Sequence, residues 1–501
     1  MFNSREKSRR PLQRSAFVRP SPQRAAPSWN VNILPAETPV VNANARLYQY
    51  EKTTKEQFDK IENVLREISA MQHERNFVDL AQRFAKTQLG FSLPEPLLTN
   101  HWIKPVDIGQ LYAWCVFETF INMSDEFFNL QPLAMEDESS FQKFIQECGF
   151  HTLDVSPCAD GRLAHIVSYV LRLPYKSVRR KSYAGAMFDV EDSLQKWVET
   201  EMLRHREGKP NQASEPTRYL KIAAYHFSSV APEHEGCAAH GSDEVRAAEE
   251  AKNQLLAFRQ GVENSFCCGA SIDLLLIGVD TDTDSIRVHV PDALGNFDVE
   301  NYIDTLSLYR RGGAGKLNQG DYRLGENLRD VILAQVGSSP ADGMLRLIAR
   351  LIAGNLQQIE YVKQYHGGSY YDIGHQERFI GMGIGFEEIQ LRNLTFFSYL
   401  KTVEEGAKDL DVGVKIFSGL NIQRGLPIPV IIRFDYHGEV PGAKARAELR
   451  CQQLNQALRQ RYEDIVKRGY MHTLLMVRDC SMDVKAEVIG CSVTVNKEEL
   501  H

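Results

Sequence analysis

Thr152-Leu-Asp-Val-Ser-Pro-Cys158-Ala-Asp160-Gly-Arg162 is the stretch from which the rest of this chain can be read. Its first residues, Thr152 to Val155, have the character of a short strand, and the strand leads to a thiol, a carboxylate and a guanidinium at alternate positions. On extended backbone, alternate side chains project to the same side. Cys158, Asp160 and Arg162 are therefore expected to face one pocket, with Gly161 allowing the backbone to bend close to an ion. A second apolar run, Tyr219 to Tyr225, leads into His226, and Cys237 follows. Two Cys and one His supply three donors for zinc and leave the fourth tetrahedral position to water, which separates a catalytic site from a closed structural one. Asp160 is also a hazard, because a free carboxylate can ligate zinc and close the site. Arg162 offers a planar pair of donors that matches a carboxylate, so it is expected to hold Asp160 off the ion and keep it ionised. The expected metal ligands are Cys158, His226 and Cys237, and the expected catalytic pair is Asp160 and Arg162.

Competing readings narrow the choice. A lone Cys is usually a small buried hydrophobe, and Cys115, Cys148, Cys451, Cys480 and Cys491 are read that way. His234 and His240 flank Cys237, and Cys267-Cys268 lies downstream, so these compete for the ligand positions. The two His are alternatively candidates for moving protons to solvent, since imidazole titrates near neutrality. Gly312-Gly-Ala-Gly-Lys316-Leu lacks both the spacing and the hydroxyl of a phosphate loop. A protease dyad of Cys158 and His226 would leave Asp160 and Arg162 without roles.

Cys-x-Asp-x-Arg with a distant His and a second Cys is the metal pattern of β-type carbonic anhydrases. The text around it, His151 to Arg162 and then Ala224-Tyr-His-Phe-Ser-Ser229, resembles the carboxysome shell carbonic anhydrases, a divergent β-like group also called the ε-class. In ordinary β-type enzymes the His and second Cys are typically separated by two residues; here His226 and Cys237 lie much farther apart, as in the carboxysome group. The resemblance covers nearly the whole chain. It implies one Zn2+ per chain and interconversion of CO2 and bicarbonate by zinc-bound hydroxide, whose hydrogen Asp160 accepts. It further implies a place inside the carboxysome supplying CO2 to Rubisco, shell proteins and Rubisco as partners, and a homodimer or higher homo-oligomer. A structural zinc-binding scaffold of the shell, without catalysis, is the alternative from another class.

The bulk composition agrees. A chain of 501 residues is long enough for two to four domains, and 43% hydrophobic with 25% charged residues is ordinary for a soluble globular protein. A net charge of -7 gives no support to nucleic-acid binding. No stretch approaches the ~20 apolar residues that cross a bilayer, and the charged start lacks the apolar run of a secretory signal. Nine Cys in this length make no disulfide framework, so a reducing compartment at synthesis is expected.

The expected fold is α+β and multidomain. Residues 1–45, rich in Arg, Pro, Ser and Ala, read as a disordered basic tail; Arg5, Lys7, Arg9, Arg10, Arg14, Arg19 and Arg24 suit an acidic partner, and the resemblance assigns Rubisco to this segment. Residues 46–135 read as an all-helical domain, with Phe58, Ile61, Val64, Leu65 and Ile68, then Phe77, Leu80 and Phe84, at helical spacing. Residues 136–382 read as an α/β, β-carbonic-anhydrase-like catalytic domain. Within it Val245 to Glu263 is a helix, Asp273 to Val279 a strand covered on both faces, and Ile286 to Val290 its neighbour. Residues 383–501 read as a degenerate, metal-free copy of that domain. Displacing the chain by 200 positions aligns Arg246, Ala247, Ala257, Arg259, Gln260, Glu263, Leu274 and Leu275 with identical residues at Arg446, Ala447, Ala457, Arg459, Gln460, Glu463, Leu474 and Leu475.

Overall fold

The computed structural model describes residues 39–99, 104–130, 138–212, 215–266, 271–312, 323–336, 340–370, 376–398, 400, 402–403, 406–482 and 485–493. The basic segment before residue 39, Cys267-Cys268 and most of the Gly-rich stretch after Arg311 lie outside them.

The N-terminal part is helical, built on Pro39–Ala70, Phe77–Leu89 and Ile108–Leu130. The first helix starts inside the segment expected to be disordered. Proline at a helix start loses nothing, because the N–H it lacks would have had no intrahelical partner. Phe58, Ile61, Val64, Leu65 and Ile68 are all buried, as their spacing predicts. In the second helix the buried face is Phe77, Ala81, Ala85 and Leu89, while Leu80 and Phe84 are half-buried. The face was misread because two alanines allow close approach and so carry the contact, leaving the larger side chains at its margin. These helices share one core with Phe379, Phe397, Ile431, Leu474 and Met476, and so cover one face of the second sheet described below.

The first sheet contains β1 (Thr152–Pro157), β2 (Arg179–Arg180), β3 (Arg218–Phe227), β4 (Ser271–Asp280), β5 (Ile286–His289) and β6 (Tyr302–Asp304), in the order β2-β1-β3-β4-β5-β6. β2, β1, β3 and β4 run parallel, and β5 and β6 are antiparallel to their neighbours. Leu274 to Ile277 and Val279 are buried, as a strand covered on both faces requires. The helix Glu244–Phe266 connects β3 to β4.

The second sheet contains β7 (Phe379–Ile384), β8 (Thr395–Ser398), β9 (Ile428–Tyr436), β10 (Met471–Asp479) and β11 (Glu487–Cys491), in the order β8-β7-β9-β10-β11. β8, β7, β9 and β10 are parallel and β11 is antiparallel to β10. Strand for strand, this is the order and sense of β2-β1-β3-β4-β5. The helix Ala443–Arg461 connects β9 to β10 as Glu244–Phe266 connects β3 to β4. The matches at a displacement of 200 fall on these helix–strand pairs, except that Glu463 opens a separate short helix, Glu463–Lys467, and β4 and β10 begin at Ser271 and Met471. A division at 382 falls inside β7, which is bonded to both β8 and β9.

Candidate metal centre

Parallel strands end together, and the crevice beyond their C-terminal ends is where such sheets gather functional side chains. Here β1 delivers Cys158 immediately after its last residue, and β3 carries His226 as its penultimate one. β1 and β3 are adjacent, with Pro157 opposite Ala224. Cys237 comes from the connection between β3 and the helix Glu244–Phe266. Among the described residues, Cys158, His226 and Cys237 form a group whose donor atoms all lie within 4.8 Å of one another, and all three are buried.

The route by which Asp160 and Arg162 join them differs from strand alternation. β1 stops at Pro157, and Asp160 caps a single turn of 3-10 helix, Gly161–Leu163, by accepting from the Arg162 N–H at 2.9 Å. Strand pairing runs one residue further through a parallel bridge of Cys158 with Tyr183, in which Ala159 N donates to Tyr183 O at 2.9 Å. Beyond it distant groups take up the backbone: Ala159 O accepts from Phe397 N at 3.4 Å and Gly161 O accepts from Asn393 N at 2.9 Å. Gly161 has a packing role: a Cβ there would lie 2.6 Å from the side chain of buried Glu377, so the missing side chain makes room for that carboxylate.

The turn produces a bidentate pair. Arg162 Nε donates to Asp160 Oδ1 at 3.0 Å and Nη2 to Oδ2 at 2.9 Å. Nη1 donates to Glu235 O at 2.6 Å and lies 3.3 Å from the Glu235 carboxylate. Burial would depress Arg162, but Asp160, Glu235 and Glu377 outweigh it and hold the guanidinium firmly charged. Asp160 Oδ2 lies 3.4 Å from His226 Nε2, so the carboxylate borders the donor cluster.

The donors suit a metal cation. Cys158 Sγ and Cys237 Sγ are 3.9 Å apart. The hydrogen bond to Cys237, with burial, raises the Cys158 thiol, and the same bond lowers Cys237. His226 Nδ1 is buried without a hydrogen-bond partner among the described residues, although buried polar atoms are ordinarily paired. Two sulfurs and an orphaned imidazole nitrogen are a donor set that fits a metal such as zinc.

Of the competitors, the two histidines stand apart from the donor group, and Cys267-Cys268 lies outside the described residues. His234 is exposed and stands outside the donor group. His240 is buried, with Nε2 3.0 Å from Gly185 O and Nδ1 3.4 Å from the Glu250 carboxylate. Cys115, Cys148 and Cys451 are buried hydrophobes as expected, and burial raises Cys148 and Cys451 to about 12. Cys480 is exposed, contrary to that reading, because it lies past the end of β10. Sequence reasoning missed Glu235, which braces Arg162, and Gly185, whose N–H donates to Cys158 Sγ at 3.3 Å. Neither sits in a recognisable spacing; the two neighbouring alanines of Ala184-Gly185-Ala186 were the only sign of a tight turn.

Comparison with known proteins adds three adjoining matches. Family models for the Carboxysome Shell Carbonic Anhydrase match as its N-terminal part at residues 40–128, its catalytic domain at 140–375 and its C-terminal part at 376–493. A carboxysome shell carbonic anhydrase of Parasynechococcus marenigrum is 51% identical over 92% of this chain and 79% of its own length. That of Hydrogenovibrio crunogenus is 46% identical over 89% and 84%, and that of Halothiobacillus neapolitanus 40% identical over 95% and 96%.

Proposed function

Since this chain belongs to the carboxysome shell carbonic anhydrase family, we propose that Cys158, His226 and Cys237 hold a catalytic zinc and that Asp160 and Arg162 govern the reaction there. The observation that carries the proposal is the convergence of three donors beside a carboxylate whose two oxygens are both held by one guanidinium. Bound there, zinc would act as a Lewis acid that brings the pKa of a water toward 7 and so supplies a nucleophile for CO2 near neutrality.

The chain's own residues do the rest. Asp160, clasped by Arg162, is kept from swinging in as a fourth ligand, which leaves that position to solvent. Its Oδ2, facing the donor cluster, accepts a hydrogen from the nucleophile and turns an oxygen lone pair toward the substrate carbon. Arg162 is itself fixed through Glu235, so the carboxylate is oriented before substrate arrives. That preorganisation, in a buried pocket, is the main catalytic contribution of such groups.

The second sheet supports a further reading, that residues after about 376 are a copy of the catalytic unit that has lost its metal. Gly385 follows β7 where Cys158 follows β1. Near the ends of β7 and β9, buried Arg433 clasps Glu388 and Asp435, so the place of a metal is filled by an ion-pair cluster. Two fused units then give one active centre per chain. We assign to the basic segment before residue 39 the contact with Rubisco, from its charge and its family resemblance, and to the whole chain a homodimeric state. Bicarbonate dehydration to feed Rubisco is the direction that suits this setting.

Zinc analysis together with oxygen-18 exchange from labelled bicarbonate tests the site. One zinc per chain with rapid exchange is expected. Zinc without exchange would instead favour the scaffold.

A further inference from the structure

The turn Ala184–Ala186 touches the metal site from outside the ligand set. Gly185 has φ +66° and Ala186 φ +59°, a left-handed conformation that alanine adopts only when its surroundings impose it. Two consecutive N–H groups of this turn point at acceptor side chains. Gly185 N donates to Cys158 Sγ at 3.3 Å, and Ala184 N donates to Asp409 Oδ1 at 2.6 Å. Asp409 lies in the helix Ala407–Leu420, which belongs to the unit built on the second sheet. On the far side, His240 Nε2 lies 3.0 Å from Gly185 O, and a Cβ on Gly185 would clash with that ring. The Ala184–Gly185 peptide that presents its N–H to the sulfur is thus flanked by two fixed peptides, the preceding one bonded through Ala184 N to a carboxylate from the other sheet unit and the following one in contact through Gly185 O with His240.

We propose that Asp409 is a positioning residue for the metal centre: it anchors the Ala184-Gly185 turn so that the Gly185 N–H reaches the Cys158 sulfur. The inference rests on the metal reading of Cys158, His226 and Cys237. A hydrogen bond to a ligating sulfur draws charge from it and tunes the bond to the ion, and loss of such outer partners lowers metal affinity or activity by about 10- to 100-fold. The second unit thereby contributes the Asp409 side chain to the active centre, alongside Glu377 and the main-chain bonds from Asn393 and Phe397.

The test uses full-length protein with Asp409→Ala and Asp409→Asn. Each is loaded with zinc for release to a chelator, and with cobalt(II) alone for the sulfur-to-metal charge-transfer band. Asp409→Ala is expected to release zinc about tenfold faster and to move the band to lower energy, as the sulfur loses its donor. Asp409→Asn keeps a neutral oxygen acceptor, so it is expected to release zinc about two- to threefold faster. If the alanine variant does not fold, the asparagine variant decides. A lowered melting temperature with release rate and band both unchanged would reduce Asp409 to a structural contact and overturn the inference. Unmodified protein that takes up neither zinc nor cobalt would overturn it by removing its premise, whereas loaded unmodified protein with indistinguishable variants sinks the role of Asp409 alone.

Discussion

Arg162 occupies both oxygens of Asp160 while its remaining nitrogen is tied to Glu235, so one guanidinium sets the position and orientation of the carboxylate. Lysine cannot reproduce that fork, being a single point charge on a flexible stem. Arg162→Lys is expected to retain zinc and lose at least about tenfold in turnover, because a positioned proton acceptor contributes 10²- to 10⁴-fold. Asp160→Asn removes the acceptor while preserving shape and should retain zinc while losing about 10²-fold or more. Cys158→Ser should lose metal and activity together. Zinc stoichiometry measured beside oxygen-18 exchange separates the three; full activity in Asp160→Asn would show that the carboxylate has no part in the reaction.

At the scale of elements, the 3-10 turn Gly161–Leu163 takes the place of the expected extended strand, and it depends on Gly161. A methyl group there meets the Glu377 side chain at 2.6 Å, within a buried region where neighbours have little room to retreat. Gly161→Ala is expected to cost about 1–3 kcal/mol by overpacking, read by denaturant unfolding, and to slow exchange by displacing Asp160. That Cys158, His226 and Cys237 gather beside a paired Asp160 and Arg162 was legible because residue types and spacing carry the signature of a metal-donor set with a braced carboxylate. The turn was not, because the partners that take up the backbone beyond the strand, Asn393 and Phe397, are remote in sequence. The helix Phe77–Leu89 taught a similar lesson, since periodicity located the helix but packing against a neighbour chose the face that Ala81 and Ala85 occupy.

Across the whole molecule, the helical part is bound to the catalytic unit through Glu51. Its carboxylate lies 2.5 Å from Lys55 Nζ, accepts from Tyr361 OH at 2.8 Å and lies 3.8 Å from His366 Nε2. Burial alone would raise Glu51, but Lys55, His366 and the Tyr361 hydroxyl together hold it down at about 2. Because the folded value is below the unfolded one, this group's contribution is complete above about pH 5 and is lost as pH falls through the folded value. Glu51→Gln is expected to destabilise the protein by roughly 2 kcal/mol at pH 7, with the difference from wild type shrinking by about half at pH 3. Urea unfolding at the two pH values checks this; an equal difference at both would show that Glu51 acts through packing rather than charge.

The sequence by itself determined which donors gather at the centre, the helical start, the α/β middle and the repeat of helix and strand at a displacement of 200, since each is written in residue type and short-range period. Only the tertiary structure decided that the second sheet repeats the strand order of the first, that Asp160 reaches the donors from a turn rather than a strand, and that Asp409 bonds the turn whose next N–H meets the sulfur of Cys158. Those outcomes depend on hydrogen bonds and contacts between residues up to more than two hundred positions apart. Local propensity carries no information about such pairings until the chain has closed on itself.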